Sequence, residues 1–145
     1  MTKEKPLKGI REEVEGTKVT KAVVKSIRDQ ILEKNDITTE EVLVPEWVDA
    51  PLYVKTMSGL ERDTWERSMF QENEEGNIDK NLKNYRAKLL ARTLCEDKEG
   101  LIRVFTDEDA LALGKKNSAV IDRCVTVATK LNGIEAKDKK ALVKN

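Results

Sequence analysis

The side chains that could do chemistry in this 145-residue chain are few, and their spacing argues against most reactions. Cys95 and Cys124 stand far apart, in no C-x-x-C pair, and the sequence contains no histidine to complete a metal site. The same lack of histidine removes every Ser-His-Asp and Cys-His arrangement. A general base at neutral pH would have to be a retuned carboxylate or lysine, with Glu61 and Asp63 as the nearest candidates. Neither sits in a recognisable motif, and there is no Gly-rich phosphate loop beside them. Both cysteines have apolar neighbours, where a reduced thiol behaves as a small hydrophobe. The residues therefore predict no catalytic, cofactor-binding or metal-binding group, and no enzyme.

Composition narrows the class further. At 39% hydrophobic and 4% aromatic residues, the length predicts one domain, which should bury roughly 68% of the surface its unfolded form exposes. The longest apolar runs, such as Val42-Leu43-Val44 and Ala110-Leu111-Ala112-Leu113, are far short of the ~20 residues a membrane span needs. Met1-Thr2-Lys3-Glu4-Lys5-Pro6 leads into no apolar h-region, so neither a membrane nor a secretory route is expected and the cytoplasm is. The net charge of zero is made of opposing blocks: 9 basic and 6 acidic residues over 1–34, 4 and 12 over 35–80, 6 and 6 over 81–114, 8 and 3 over 115–145. The basic ends are Lys-dominated and hold no aromatic residue, which is the wrong footprint for nucleic acid.

Periodicity supplies the elements. Residues 1–19, with Pro6, Gly9 and Gly16, read as a charged leader. From Thr20 to about Asn35, Val23, Val24, Ile27, Ile31 and Leu32 recur as an amphipathic helix. β-branched residues ahead of Pro45 predict a strand over 41–47, and 52–57 is its hairpin partner. Ser58-x-x-Glu61 is a capping box that opens a helix over 60–71, with Trp65 and Met69 inward. An exposed loop is predicted over 72–77 and a third helix over 81–94, apolar at Leu82, Tyr85, Leu89, Leu90 and Leu94. A short strand over 101–105 could join the hairpin, Thr106 caps a brief helix ending at Gly114, and the last helix runs from Asn117 or Ser118 to Leu131, closed by Asn132-Gly133. The expected fold is α+β: a mostly helical domain over 20–133, with an antiparallel hairpin or three-stranded sheet packed on helices, and a charged tail over 134–145.

Several of these segments together resemble a family. Glu41-Val42-Leu43-Val44-Pro45-Glu46-Trp47, then Leu52 to Asp63, then Arg86 to Asp97, then Val104-Phe105-Thr106-Asp107-Glu108-Asp109, and the closing helix at Leu131-Asn132-Gly133 follow one order and spacing. That ordered set, over roughly 30–145, resembles the tail assembly chaperones of long-tailed bacteriophages and prophages, of the siphovirus type. The resemblance implies a non-enzymatic role in the infected cell's cytoplasm: holding the tape measure protein soluble, helping to recruit tail tube protein around it, and leaving before the virion matures. It also implies that a ribosomal frameshift can produce a longer form. A permanent minor tail or head-tail connector protein is the alternative.

A transient holder needs exposed apolar surface flanked by charge. Trp47, beside the Pro45 turn, is the best single candidate for partner contact. The helices over 81–94 and 117–131 carry apolar surface wide enough to need cover on two sides, either in the core or against another chain. They nominate Leu89, Leu90, Val120, Val127 and Leu131 as client contacts, with ordinary core packing the competing reading for each. The same width makes homo-oligomerisation an expectation.

Overall fold

Capping and register, more than propensity, set where each element starts and stops. The structure, a computed structural model, describes residues 24–134, and the chain divides into two units, 1–36 and 37–145. The leader over 1–19 and the tail beyond Ile134 lie outside the described residues, and the helix expected from Thr20 to about Asn35 is shorter where it is described, since residues 24–26 are not helical and Ser26 caps a start at Ile27. In the first unit, α1 (Ile27–Glu33) is capped by Ser26, whose hydroxyl accepts from the Asp29 amide at 3.1 Å. None of its residues is buried.

The second unit contains β1 (Thr39–Val42), β2 (Leu52–Lys55), α2 (Gly59–Arg67), β3 (Phe70–Glu72), β4 (Ile78–Lys80), α3 (Tyr85–Thr93), β5 (Leu94–Cys95), a 3-10 turn (Asp107–Asp109), α4 (Ala110–Leu113) and α5 (Ser118–Leu131). An antiparallel sheet in the order β1-β2-β5 pairs Thr39 with Lys55, Val42 with Leu52, and Val54 with Leu94. The fold is thus a small α+β domain. α5 packs on α3 and against β1 and β2. The shared core includes Val44, Val54, Trp65, Met69, Leu89, Leu90, Leu94, Cys124 and Ala128.

Local chemistry explains where the boundaries differ from the sequence expectations. β1 stops at Val42, and at Pro45 the chain turns: the Trp47 and Val48 amides both donate to the Val44 carbonyl, at 3.0 and 3.1 Å. The Ser58–Glu61 capping box forms as expected, with bonds of 2.9 and 3.1 Å, but α2 ends four residues early. The segment expected as a loop over 72–77 is instead the turn of a second hairpin, β3–β4, in which Phe70 pairs with Lys80 and Glu72 with Ile78. Asn73 organises that turn, its side-chain oxygen accepting from the Glu75 and Asn77 amides at 2.9 Å. α3 begins only after Asn84, which sits in the left-handed region at φ 65°.

The third strand is also corrected. Leu94, expected as the last residue of the third helix, and Cys95 after it are the strand that joins the hairpin. The 101–105 segment touches them by a single bridge, Cys95 to Arg103, with the Val104 amide donating to the Leu94 carbonyl at 2.9 Å. Leu94 turns extended because its side chain is wholly buried beside Val54, a demand stronger than its helical preference. At the other end of the fold the sequence signal holds: Gly133, at φ 69°, lets the Ile134 amide reach the Thr129 carbonyl at 2.8 Å and Ile134 close over the core. Asn132 then ties this helix end to the sheet, accepting from the Met57 amide at 2.6 Å and donating to the Lys55 carbonyl at 3.2 Å.

Candidate functional site

Of the groups named as potential chemistry, Cys95, Cys124 and Glu61 are engaged in structure, and Asp63 is exposed on α2. Cys95 and Cys124 are free, fully buried thiols, and burial pushes Cys124 up to about 11, so it stays protonated at neutral pH. Burial alone would raise the Glu61 carboxyl. Hydrogen bonds from Lys55 and the Ser58 backbone outweigh that effect and hold it below the ordinary value, the wrong direction for a neutral-pH base. Lys55, itself buried, reaches Glu61 at 2.8 Å. Among the described residues no three His, Cys, Asp or Glu side chains are grouped to hold a metal ion.

The surface around Trp47 has a different character. Val44 anchors the turn in the core, 1% exposed, and Pro45 breaks the strand so that Glu46 and Trp47 face outward. Arg123, from α5, grips Glu46 with two bonds of 2.8 and 2.6 Å. Those bonds hold the Glu46 carboxyl down at about 2. The turn is therefore tied to α5, and Trp47 is half-buried, with one part packed on the core. Its other part walls a groove of about 330 Å³ shared with Phe105, Ala112 and Leu113 and rimmed by Glu46, Asp109 and Lys116. Leu43 and Val48, on the same turn, are 62% and 41% exposed.

The remaining sequence candidates are placed elsewhere. Leu89, Leu90 and Val120 are at most 5% exposed and belong to the core. Their client-facing role meets a physical obstacle, because α3 and α5 pack on each other and use those side chains as the contact. Val127 and Leu131 are partly buried against the same core, and neither lines the Trp47 groove. Phe105 and Leu113 complete the groove and were not singled out from sequence. The available signal was an aromatic residue immediately ahead of the Thr106 cap, a position that often packs across the first turn.

A family model described as phage tail assembly chaperone matches residues 26–142. The chain belongs to that family. No curated protein and no solved structure matches it. The match spans every described element from α1 to α5. For a tail assembly chaperone a non-catalytic role is implied, and the surface of interest is the one that can meet another tail protein. Among the described residues no helix is long and apolar enough to cross a membrane. In this family member the Trp47 groove combines exposed apolar carbon with a charged rim on a turn that is held in place, a combination that suits reversible contact.

Proposed function

We propose that the chain binds and solubilises the tape measure protein of its phage and helps to recruit tail tube protein around it, acting in the cytoplasm of the bacterial host and staying out of the mature virion. The observation that carries this reading is the Trp47 groove, an apolar surface with a half-buried Trp on a tethered turn, in a member of the tail assembly chaperone family. A groove this small seats one or two bulky side chains. Such contact gives affinity that tube assembly can displace. Val127 and Leu131 would add contact on α5 outside that groove, while Leu89, Leu90 and Val120 stay in the core.

The test is co-expression with the tape measure protein encoded by the same phage, comparing the soluble fraction and co-purification for the native chain and for Trp47→Asp. The native chain is expected to keep the client soluble and to co-purify with it. Trp47→Asp should lose most of both while retaining its far-UV circular dichroism. A client that stays insoluble beside the native chain overturns the reading, as does abundance of this chain in purified virions by mass spectrometry.

A further inference from the structure

The β3–β4 hairpin forms a sheet of its own, and its edges are open: β3 and β4 pair only with each other. The Asn73 amide donates to the Asn77 carbonyl at 2.8 Å and the Asn81 amide to the Met69 carbonyl at 2.5 Å, so the inward backbone groups of the first strand belong to residues 69, 71 and 73. The amides and carbonyls of Phe70 and Glu72 therefore point away from β4. Among the described residues nothing bonds to them. A two-stranded sheet is marginal in water, and a third strand is what completes it.

The two faces of the hairpin differ. Gln71 and Asp79 lie on one, where the Asn81 side chain donates to Gln71 at 3.0 Å and the Asn73 side chain to Asp79 at 2.8 Å. The other carries Phe70, Glu72, Ile78 and Lys80. Phe70 is 46% and Ile78 68% exposed, and neither packs on the core. Charge over 70–80 is one-sided, with Glu72, Glu74, Glu75 and Asp79 against Lys80 alone. Among the described residues none of those four carboxylates is in an ion pair, and Lys80 lies over the Phe70 ring, 6.0 Å from its centre.

We propose that the β3 edge of this hairpin is a strand-addition site for an extended, basic segment of a partner polypeptide. The Phe70 and Glu72 backbone groups supply the ladder bonds. Side chains two positions apart on the incoming strand fall beside Phe70 and Glu72, which asks for an apolar residue and a Lys or Arg at that spacing. The acidic turn beyond Glu72 adds attraction for further positive charge. It also repels acidic strands, which keeps a short exposed edge from pairing at random. The site shares no residue with the Trp47 groove and does not require that the partner be the tape measure protein.

The experiment is a titration of the intact, ¹⁵N-labelled chain at fixed ionic strength with short peptides. One alternates Lys and Val, one alternates Glu and Val, and one is the Lys peptide N-methylated along the pairing edge so that it cannot donate to a ladder. The Lys peptide is expected to shift the Phe70 and Glu72 amides downfield to saturation and to slow their hydrogen exchange, with the Trp47 indole unmoved. Added salt should weaken it. The Glu and N-methylated peptides should each bind at least about tenfold more weakly. Glu72→Lys, an exposed change, should weaken the Lys peptide about tenfold and narrow its margin over the Glu peptide, with unchanged dispersion of the remaining amides as the check on folding. No saturable shift of those two amides, or equal binding of either control peptide, overturns the proposal. So does a shift of the same amides on concentrating the chain alone, which assigns the edge to a second copy. Binding that appears only when Lys139→Gln, Lys140→Gln and Lys144→Gln are combined assigns the edge to the chain's own tail and overturns the proposal as well.

Discussion

The unpaired indole at Trp65 makes a stability prediction in which the larger side chain is not the better one by much. A buried indole removes about 150–250 Å² from water, and Trp65 is 2% exposed. At about 25 cal/mol per Å² that is ~4–6 kcal/mol of burial, and truncation to alanine in such sites costs about 3–5 kcal/mol. Trp65→Phe keeps roughly two thirds of the ring area and so forfeits ~1–2 kcal/mol. It also deletes a buried N–H without a partner, whose desolvation costs about 1–3 kcal/mol. The two terms nearly cancel. Trp65→Phe should therefore lie within about 1 kcal/mol of the native chain while Trp65→Ala falls well below it. Urea unfolding followed by circular dichroism, with the slopes compared, measures both. A Trp65→Phe cost equal to that of Trp65→Ala would refute the reasoning, since it would mean the N–H is engaged in the native state. A Trp65→Ala loss within error would refute the packing itself.

Other perturbations separate core from surface. Leu90→Ala should cost about 2–5 kcal/mol in the same assay, because Leu90 is wholly buried between α3 and its neighbours. Glu61→Ala should cost about 2–4 kcal/mol, removing half of the capping box and leaving the buried Lys55 ammonium unpaired; the double change with Lys55→Met should recover part of the loss, read as a coupling in the unfolding midpoints. For Glu46, a folded pKa of about 2 against an ordinary 4.5 means that its bond to Arg123 stabilises the fold fully above the ordinary value and is lost as pH falls through about 2. Carboxyl-carbon NMR should find that titration point depressed in the native chain and returned toward 4.5 in Arg123→Met.

Which parts of the fold were legible follows from whether a signal was local. The Ser58–Glu61 box, the Thr106 cap and the Asn132-Gly133 stop each complete their bonds within a few residues, and each was readable. The β3–β4 hairpin was not. The side chains of Phe70, Gln71 and Glu72 are all exposed, so no alternation marks the strand, and its stability comes from the Asn73 turn. Leu94 belonged to the α3 stripe by spacing, and only its partner Val54, forty residues earlier, shows why it leaves the helix. Trp47 was legible as a surface candidate because Pro45 forces a turn beside it. Phe105 and Leu113 were not, because the groove they complete exists only once a distant segment is folded against that turn.

The wide apolar stripes of α3 and α5 left two readings open, and the packing explains why width alone could not decide between them. Leu89, Leu90, Val120 and Cys124 occupy one continuous core, with α5 covered by α3 on one side and by the hairpin on the other. Two-sided cover is thus supplied within the chain. The opposing charge blocks have a related role, since the basic C-terminal block meets the acidic middle through Arg123 and Glu46. A second pair, Arg86 of α3 to Asp122 of α5 at 2.9 Å, links the two helices that cover each other. Arg92 and Arg103 converge on a single Asp107, and Lys88 finds only a carbonyl. The charge blocks and the wide apolar stripes are thus met largely by the same kind of contact, one made between elements of this chain.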